Sequence, residues 1–111
     1  MTRSEAREQA FIVLFEKIFD EESSISEIIE NAQELIKING FARTLLLKIE
    51  DNLDKIDDSI ENNVRGWAVQ RLPKVSLAIL RLAIGEMMFI EEVPVGVSVN
   101  EAFELTKKYG T

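Results

Sequence analysis

The sequence predicts an all-α protein, and three observations carry that expectation: sparse backbone punctuation, a recurring helix-start motif, and apolar residues spaced for one face of a helix. The 111 residues contain 5 Gly and 2 Pro, too few for the regularly spaced turns of a sandwich or barrel. That length suits a single domain, and a hydrophobic content of 46% is enough to fill one core rather than leave the chain disordered. Three times a hydroxyl is followed three residues later by Glu: Thr2 and Glu5, Ser24 and Glu27, Ser98 and Glu101. At this spacing the two side chains satisfy each other's orphan backbone donors at a helix N-terminus.

The first helix starts after Thr2 and is expected to run to about Asp20. Ala6, Ala10, Val13, Leu14 and Ile18 form one stripe with Phe11, Phe15 and Phe19 beside it, so the helix is apolar over much of its circumference and sits centrally. Arg3 and Arg7 head the row that continues into Phe11 and Phe15, which sets two guanidinium groups together at one end of a packed helix. The second helix opens at Ser24 and buries Ile25, Ile28, Ile29, Ala32, Leu35 and Ile36 before Asn39-Gly40 ends it. A third, from about Phe41, buries Leu45, Leu46, Ile49 and Leu53, and Asp54 with Asp57 starts a fourth carrying Ile56, Ile60 and Val64. Gly66 interrupts before Trp67, which reads as a packing anchor between two helices. Pro73 suits the first turn of a fifth helix, the most hydrophobic, with core side chains drawn from Val75 to Met88. After Glu92-Val93-Pro94, Ser98 and Glu101 open a last helix that ends at Tyr109, with Gly110 as a left-handed cap.

The composition removes much chemistry. With no Cys and no His there are no disulfides, no thiolate or imidazole zinc sites, no Ser-His triads and no His general bases. A carboxylate-bridged dimetal site in a helical bundle also uses His. The acid pairs Glu21-Glu22, Asp57-Asp58 and Glu91-Glu92 read as helix starts or connections, where negative charge favours the helix dipole. Gly96 lacks the companion glycines and Lys of a phosphate loop, and Met87-Met88-Phe89 reads as core. The N-terminus has no uninterrupted apolar run, and Leu77 to Ile90 is broken by Arg81 and Glu86, so neither a signal peptide nor a membrane span is expected and the cytoplasm is the expected location.

A net charge of −7 argues against indiscriminate phosphate binding, yet the charge is partitioned. Residues 20–62 hold twelve acids and four bases, whereas residues 63–90 hold Arg65, Arg71, Lys74 and Arg81 against Glu86 alone. An anionic ligand would meet a local patch, at Arg3 and Arg7 or at the second-half bases. From charge alone, solvated helix faces and caps explain the same residues.

Ordered pieces of the chain resemble a known family. Arg3-Ser4-Glu5-Ala6-Arg7-Glu8-Gln9-Ala10-Phe11 with Leu14-Phe15 resembles the start of the NusB family of bacterial transcription antitermination factors. Trp67, Arg71-Leu72, Ala78 to Glu86, Val93-Pro94, Val99 to Leu105 and Lys107-Lys108-Tyr109-Gly110 are similar to its long signature in order and spacing. The resemblance implies one helical domain of about six helices over residues 1–111, in two small subdomains of about 1–54 and 55–111. It implies no catalysis and no cofactor. It further implies binding of boxA-type single-stranded RNA from ribosomal RNA leader transcripts together with NusE, a small-subunit ribosomal protein, in support of processive RNA polymerase. Family RNA-binding positions fall on Arg3, Arg7, Phe15 and Ser76.

Two arginines neutralise few phosphates, so a patch of about two to four cations binds weakly at physiological salt, and a partner bringing more contacts fits that shortfall. The sequence departs from the family pattern in three places. Ser4 and Glu5 stand between the arginines where further bases are common, and Gly85 stands where a large aromatic is usual, which suggests space in the core. The family continues past Gly110 into a further helix that this sequence does not contain, leaving truncation or cover by a second copy as alternatives. The competing functions are a protein-interaction module of the same fold and a helical oligomer, including a homodimer, without RNA binding. A methyltransferase of the kind this domain is fused to elsewhere is excluded by length and the lack of a glycine-rich cofactor loop.

Overall fold

Six α-helices and one short 3-10 turn make up the described part of the chain, with no strand among them: α1 (Arg3–Phe19), α2 (Ile25–Ala32), α3 (Gly40–Asp51), α4 (Leu53–Asn63), the turn Val69–Arg71, α5 (Lys74–Phe89) and α6 (Val95–Tyr109). The computed structural model describes residues 1–64 and 68–110. The expectations for Gly66 and Trp67, and the charge of Arg65, lie outside those residues. No described helix is long and apolar enough to cross a membrane.

The first two helix starts form as their residues dictate. Thr2 Oγ1 accepts from Glu5 N while Glu5 returns a carboxylate to Thr2 N, and Ser24 and Glu27 repeat the exchange. In each pair the hydrogen bonds from the hydroxyl residue, its backbone N–H foremost, hold the carboxyl below the ordinary carboxylate value. Asn39 caps α3 through a side-chain oxygen that accepts from Phe41 N at 2.8 Å. Gln9 of α1 fastens the segment leading to it, donating to Lys37 O at 3.1 Å and accepting from Asn39 N at 2.9 Å.

α1 and α5 are the centre of the packing. α1 touches α2, α3, α5 and α6, and α5 touches α1, α3, α4 and α6. Ala6, Ala10, Phe11, Val13 and Leu14 from α1 join Leu45, Leu46 and Ile49 from α3, Ile56 and Ile60 from α4, and Leu77, Ala78, Ile79 and Leu82 from α5 in one buried cluster. At the α4–α5 contact, Arg81 grips Asp57 with two parallel hydrogen bonds of 2.9 and 2.8 Å. Asp57 and Asp58 therefore lie inside α4 rather than at a helix start, and α4 begins at Leu53 after Asn52.

Several local expectations are corrected. α2 ends at Ala32, and Leu35 and Ile36 follow in a turn with 90% and 54% of their surface exposed, because the chain leaves the helix before their side chains reach the core. Asn39-Gly40 thus begins α3 rather than ending α2. Pro73 is the N-cap residue of α5, its carbonyl accepting from Leu77 N, one place before the first turn. Met88, near the end of that helix, is exposed rather than core, while Met87 and Phe89 on either side are half-buried. Pro94 caps α6 as Pro73 caps α5, so Ser98 and Glu101 lie one turn inside that helix and form no capping box. Gly110 ends α6 in the right-handed region, φ −86° and ψ 0°, and not as a left-handed cap. Gly85 leaves no space: a Cβ there would sit 2.5 Å from Ile49 Cγ1, so the missing side chain is where α3 closes on α5.

Candidate nucleic-acid interface

The α1 start and the end of α5 meet because the two helices run antiparallel, with Arg7 opposite Glu86 and Phe19 opposite Lys74. Arg7 is buried, with 4% of its surface exposed, and Glu86 has 2%. Arg7 Nε donates to both Glu86 oxygens, at 2.8 and 3.1 Å, while Ser98 Oγ of α6 donates to Glu86 Oε1 at 2.6 Å. A second carboxylate stands beside the first: Glu101 Oε1 lies 3.5 Å from the Arg7 guanidinium and accepts from Ser4 Oγ at 2.6 Å. Two acids thus compensate one buried cation, as burial of a charge requires.

Arg3 is exposed, one helical turn before Arg7. Its guanidinium carbon lies 4.1 Å from the centroid of the Phe41 ring, and that of Arg7 lies 5.3 Å from the same ring. The two guanidinium groups do meet at one end of α1, with an aromatic face beneath them. Their like charges coexist there because Glu86 and Glu101 compensate Arg7 from behind, leaving Arg3 the solvent-facing cation.

The other two expected residues lie elsewhere. Phe15 is half-buried between Phe11 and exposed Phe19, with centroid separations of 6.0 and 5.0 Å. It is twelve residues along α1 from Arg3, about 18 Å at 1.5 Å per residue. Ser76 is exposed in the first turn of α5, at the same end as Phe15, where Lys74 Nζ stands 5.6 Å from the Phe19 ring. The structure therefore brings Arg3 and Arg7 together and sets Phe15 and Ser76 at the far end of α1.

Two clefts flank these residues. A groove of about 340 Å³ between the start of α1 and α6 is lined by Ser4, Glu5, Glu8, Glu101, Glu104, Leu105, Lys107 and Lys108. Its carboxylates border the two arginines on the α6 side, with Lys107 and Lys108 on the same wall. Within it, the Glu8 carboxyl is held below its ordinary value by hydrogen bonds from Lys108 and Tyr109. A second cleft of about 390 Å³ opens at the opposite end, beside Lys17, Asp57, Glu61 and Arg81. Four of its charged groups are engaged: Arg81 binds Asp57, Glu61 accepts from Val69 N, and Lys17 donates to the carbonyl oxygens of Glu21 and Ser23.

Sequence reasoning did not single out Phe41, Glu86, Ser98 or Glu101 as parts of this patch. The Ser98–Glu101 spacing was a signal, but for a helix start. Their real partners are 97 residues away for Ser4 with Glu101 and 12 for Ser98 with Glu86, separations that only packing brings together.

The NusB family model matches residues 4–111. The chain belongs to the NusB family. A NusB relative from Natranaerobius thermophilus, a transcription antitermination protein, is 39% identical over all of this chain and 84% of its own length. The Bacillus subtilis transcription antitermination protein NusB is 38% identical over 99% of this chain and 83% of its own. Among solved structures, NusB of T. maritima superposes with a TM-score of 0.89 at 32% identity, over 100% of this chain and 80% of that one. A chain in the crystal structure of a plectonemic RNA supercoil gives 0.80 at 29% identity, over 96% and 80%. The NusB fold is the all-helical arrangement described above, and the family is one of non-enzymatic transcription antitermination factors.

Proposed function

We propose that this NusB-family chain is a cytoplasmic RNA-binding adaptor of transcription antitermination. It engages boxA-type single-stranded RNA of ribosomal RNA leader transcripts together with NusE, and so supports processive RNA polymerase in an antitermination complex. The observation that carries the reading is Arg3, an exposed guanidinium lying over Phe41 at the head of the central helix. A guanidinium of this kind supplies phosphate contacts, base-edge hydrogen bonds and stacking, the means by which single-stranded RNA is read. The RNA path runs from Arg3 and Arg7 toward Phe15 and Ser76, where an aromatic ring and a hydroxyl are available. One exposed arginine on an acidic protein binds RNA weakly, which is why a partner contributing further contacts belongs to the reading.

The test is binding of fluorescent boxA-type RNA over a salt series, with and without NusE, to the wild type and to Arg3→Ala. NusE is expected to tighten binding, and Arg3→Ala to weaken it with a slope of log K against log salt shallower by about 0.7. A wild type indifferent to RNA with NusE present would overturn the reading.

One observation favours a second reading, a protein-docking module. Val95, Val99 and Phe103 are exposed at i, i+4 and i+8 on α6, a stripe suited to a protein partner or a second copy. Light scattering after size exclusion separates the self-associating form: a monomer at high concentration removes it.

A further inference from the structure

We infer that Glu86 and Glu101 are positioning residues for RNA binding, acting through Arg7 and Ser4 to hold the first turn of α1 so that Arg3 lies over Phe41. The inference rests on the RNA-binding reading above and assigns roles to two acids that a charge argument would place against it. Three helices converge on these residues. Glu86 of α5 receives Arg7 Nε and Ser98 Oγ, and Glu101 of α6 receives Ser4 Oγ and faces Arg7 at 3.5 Å. Ser4 and Arg7 are both in the first turns of α1, on either side of Glu5, whose carboxylate closes the helix start at Thr2. The turn that carries Arg3 is therefore tied from outside by α5 and α6 and from within by its capping box. Helix ends otherwise fray, and a frayed first turn would release Arg3 from Phe41.

Phe41 is fixed by contacts other than those two carboxylates, its half-buried ring packing against the core. Its backbone N–H donates to the Asn39 cap, and Gln9 of α1 holds Asn39 in turn. Ring and guanidinium are thus each positioned before RNA arrives, which reduces the ordering needed on binding. Arg7 acts behind Arg3: it carries the pull of the two carboxylates into α1.

The sign of the effect tests this. Glu101 lies beside the cationic patch, so simple electrostatics says that removing its charge should tighten RNA binding. Positioning says the reverse. In the full chain with NusE and boxA-type RNA, Glu101→Ala is expected to weaken binding about two- to tenfold, the cost of immobilising one side chain. In the Arg3→Ala background the same substitution should have no further effect, since the group being positioned is gone. Ser4→Ala, which changes no charge and is exposed, should weaken binding in the same direction and by less. Thermal unfolding of each variant establishes that it is folded at the assay temperature. Unchanged or tightened binding by folded Glu101→Ala and Ser4→Ala, or equal losses with and without Arg3, would overturn the inference while leaving the function standing. A wild type that binds no RNA would remove both.

Discussion

Arg7 and Glu86 are 79 residues apart in the chain, yet the Arg7 Nε proton is shared between both Glu86 oxygens in a site where neither side chain exceeds 4% exposure. Removing Glu86 takes away the bidentate partner of buried Arg7, leaving it only Glu101 at 3.5 Å, and strips the buried Ser98 hydroxyl of its acceptor. Glu86→Ala is therefore expected to lower stability by about 3–5 kcal/mol, read from urea denaturation. The triple variant Arg7→Met, Glu86→Leu, Ser98→Ala replaces the cluster with apolar groups and should recover most of that loss. A Glu86→Ala loss below about 1 kcal/mol would mean that water reaches the pair and solvates the survivor.

Gly85 is the second such site. In an open helix, Gly→Ala adds about 1 kcal/mol of stability. Here the new Cβ meets Ile49 Cγ1 at 2.5 Å and Ile56 Cδ1 at 3.3 Å. Gly85→Ala is expected to destabilise by about 1–3 kcal/mol, as overpacking does. Adding Ile49→Ala should cost less than the sum of the two single changes, measured by denaturation of all three proteins.

Alkaline and acid limits follow from the contact between α6 and α1. Tyr109 donates to Glu8, and that hydrogen bond, helped by burial, raises the phenol above its ordinary value. A raised folded value means the stabilisation is complete below the unfolded tyrosine's value and is lost as pH rises through the folded one. The Glu8 carboxyl, lowered by Lys108 and Tyr109, behaves oppositely: its contribution is present above the unfolded carboxylate's value and is lost as pH falls through the folded one. Tyr109→Phe should flatten the alkaline side of a stability-against-pH curve. An unchanged alkaline limb would place the loss elsewhere.

The end of α2 is tested at the surface. Leu35→Ser and Ile36→Ser are expected to change the denaturation midpoint little, within about 0.5 kcal/mol each, because both side chains are already exposed. Ile29→Ser, with 1% of its surface exposed, should be severely destabilising. Equal losses at Leu35 and Ile29 would show that α2 extends further than Ala32.

Local chemistry was legible wherever a helix end is decided by neighbours in sequence. Thr2 with Glu5 and Ser24 with Glu27 cap helices as read, because capping needs only residues three apart and a chain entering from outside the helix. Ser98 with Glu101 has the same spacing and fails, because the chain is already helical from Val95 after Pro94. The periodicity of the second segment extended one turn too far, since a 3.6-residue pattern marks apolar positions without saying whether another element reaches them.

The sequence by itself determined an all-helical domain, its central apolar first helix, its lack of thiol and imidazole chemistry, and the resemblance that the family match bears out. Tertiary structure alone decided which charges are free. Arg3 and Arg7 are equivalent in sequence, one turn apart on one helix face, yet α5 and α6 bring Glu86, Ser98 and Glu101 against Arg7 and leave Arg3 over Phe41 in solvent. Desolvation depends on everything packed around a side chain, so the difference between a buried strut and a solvent-facing cation arises only when distant helices close together.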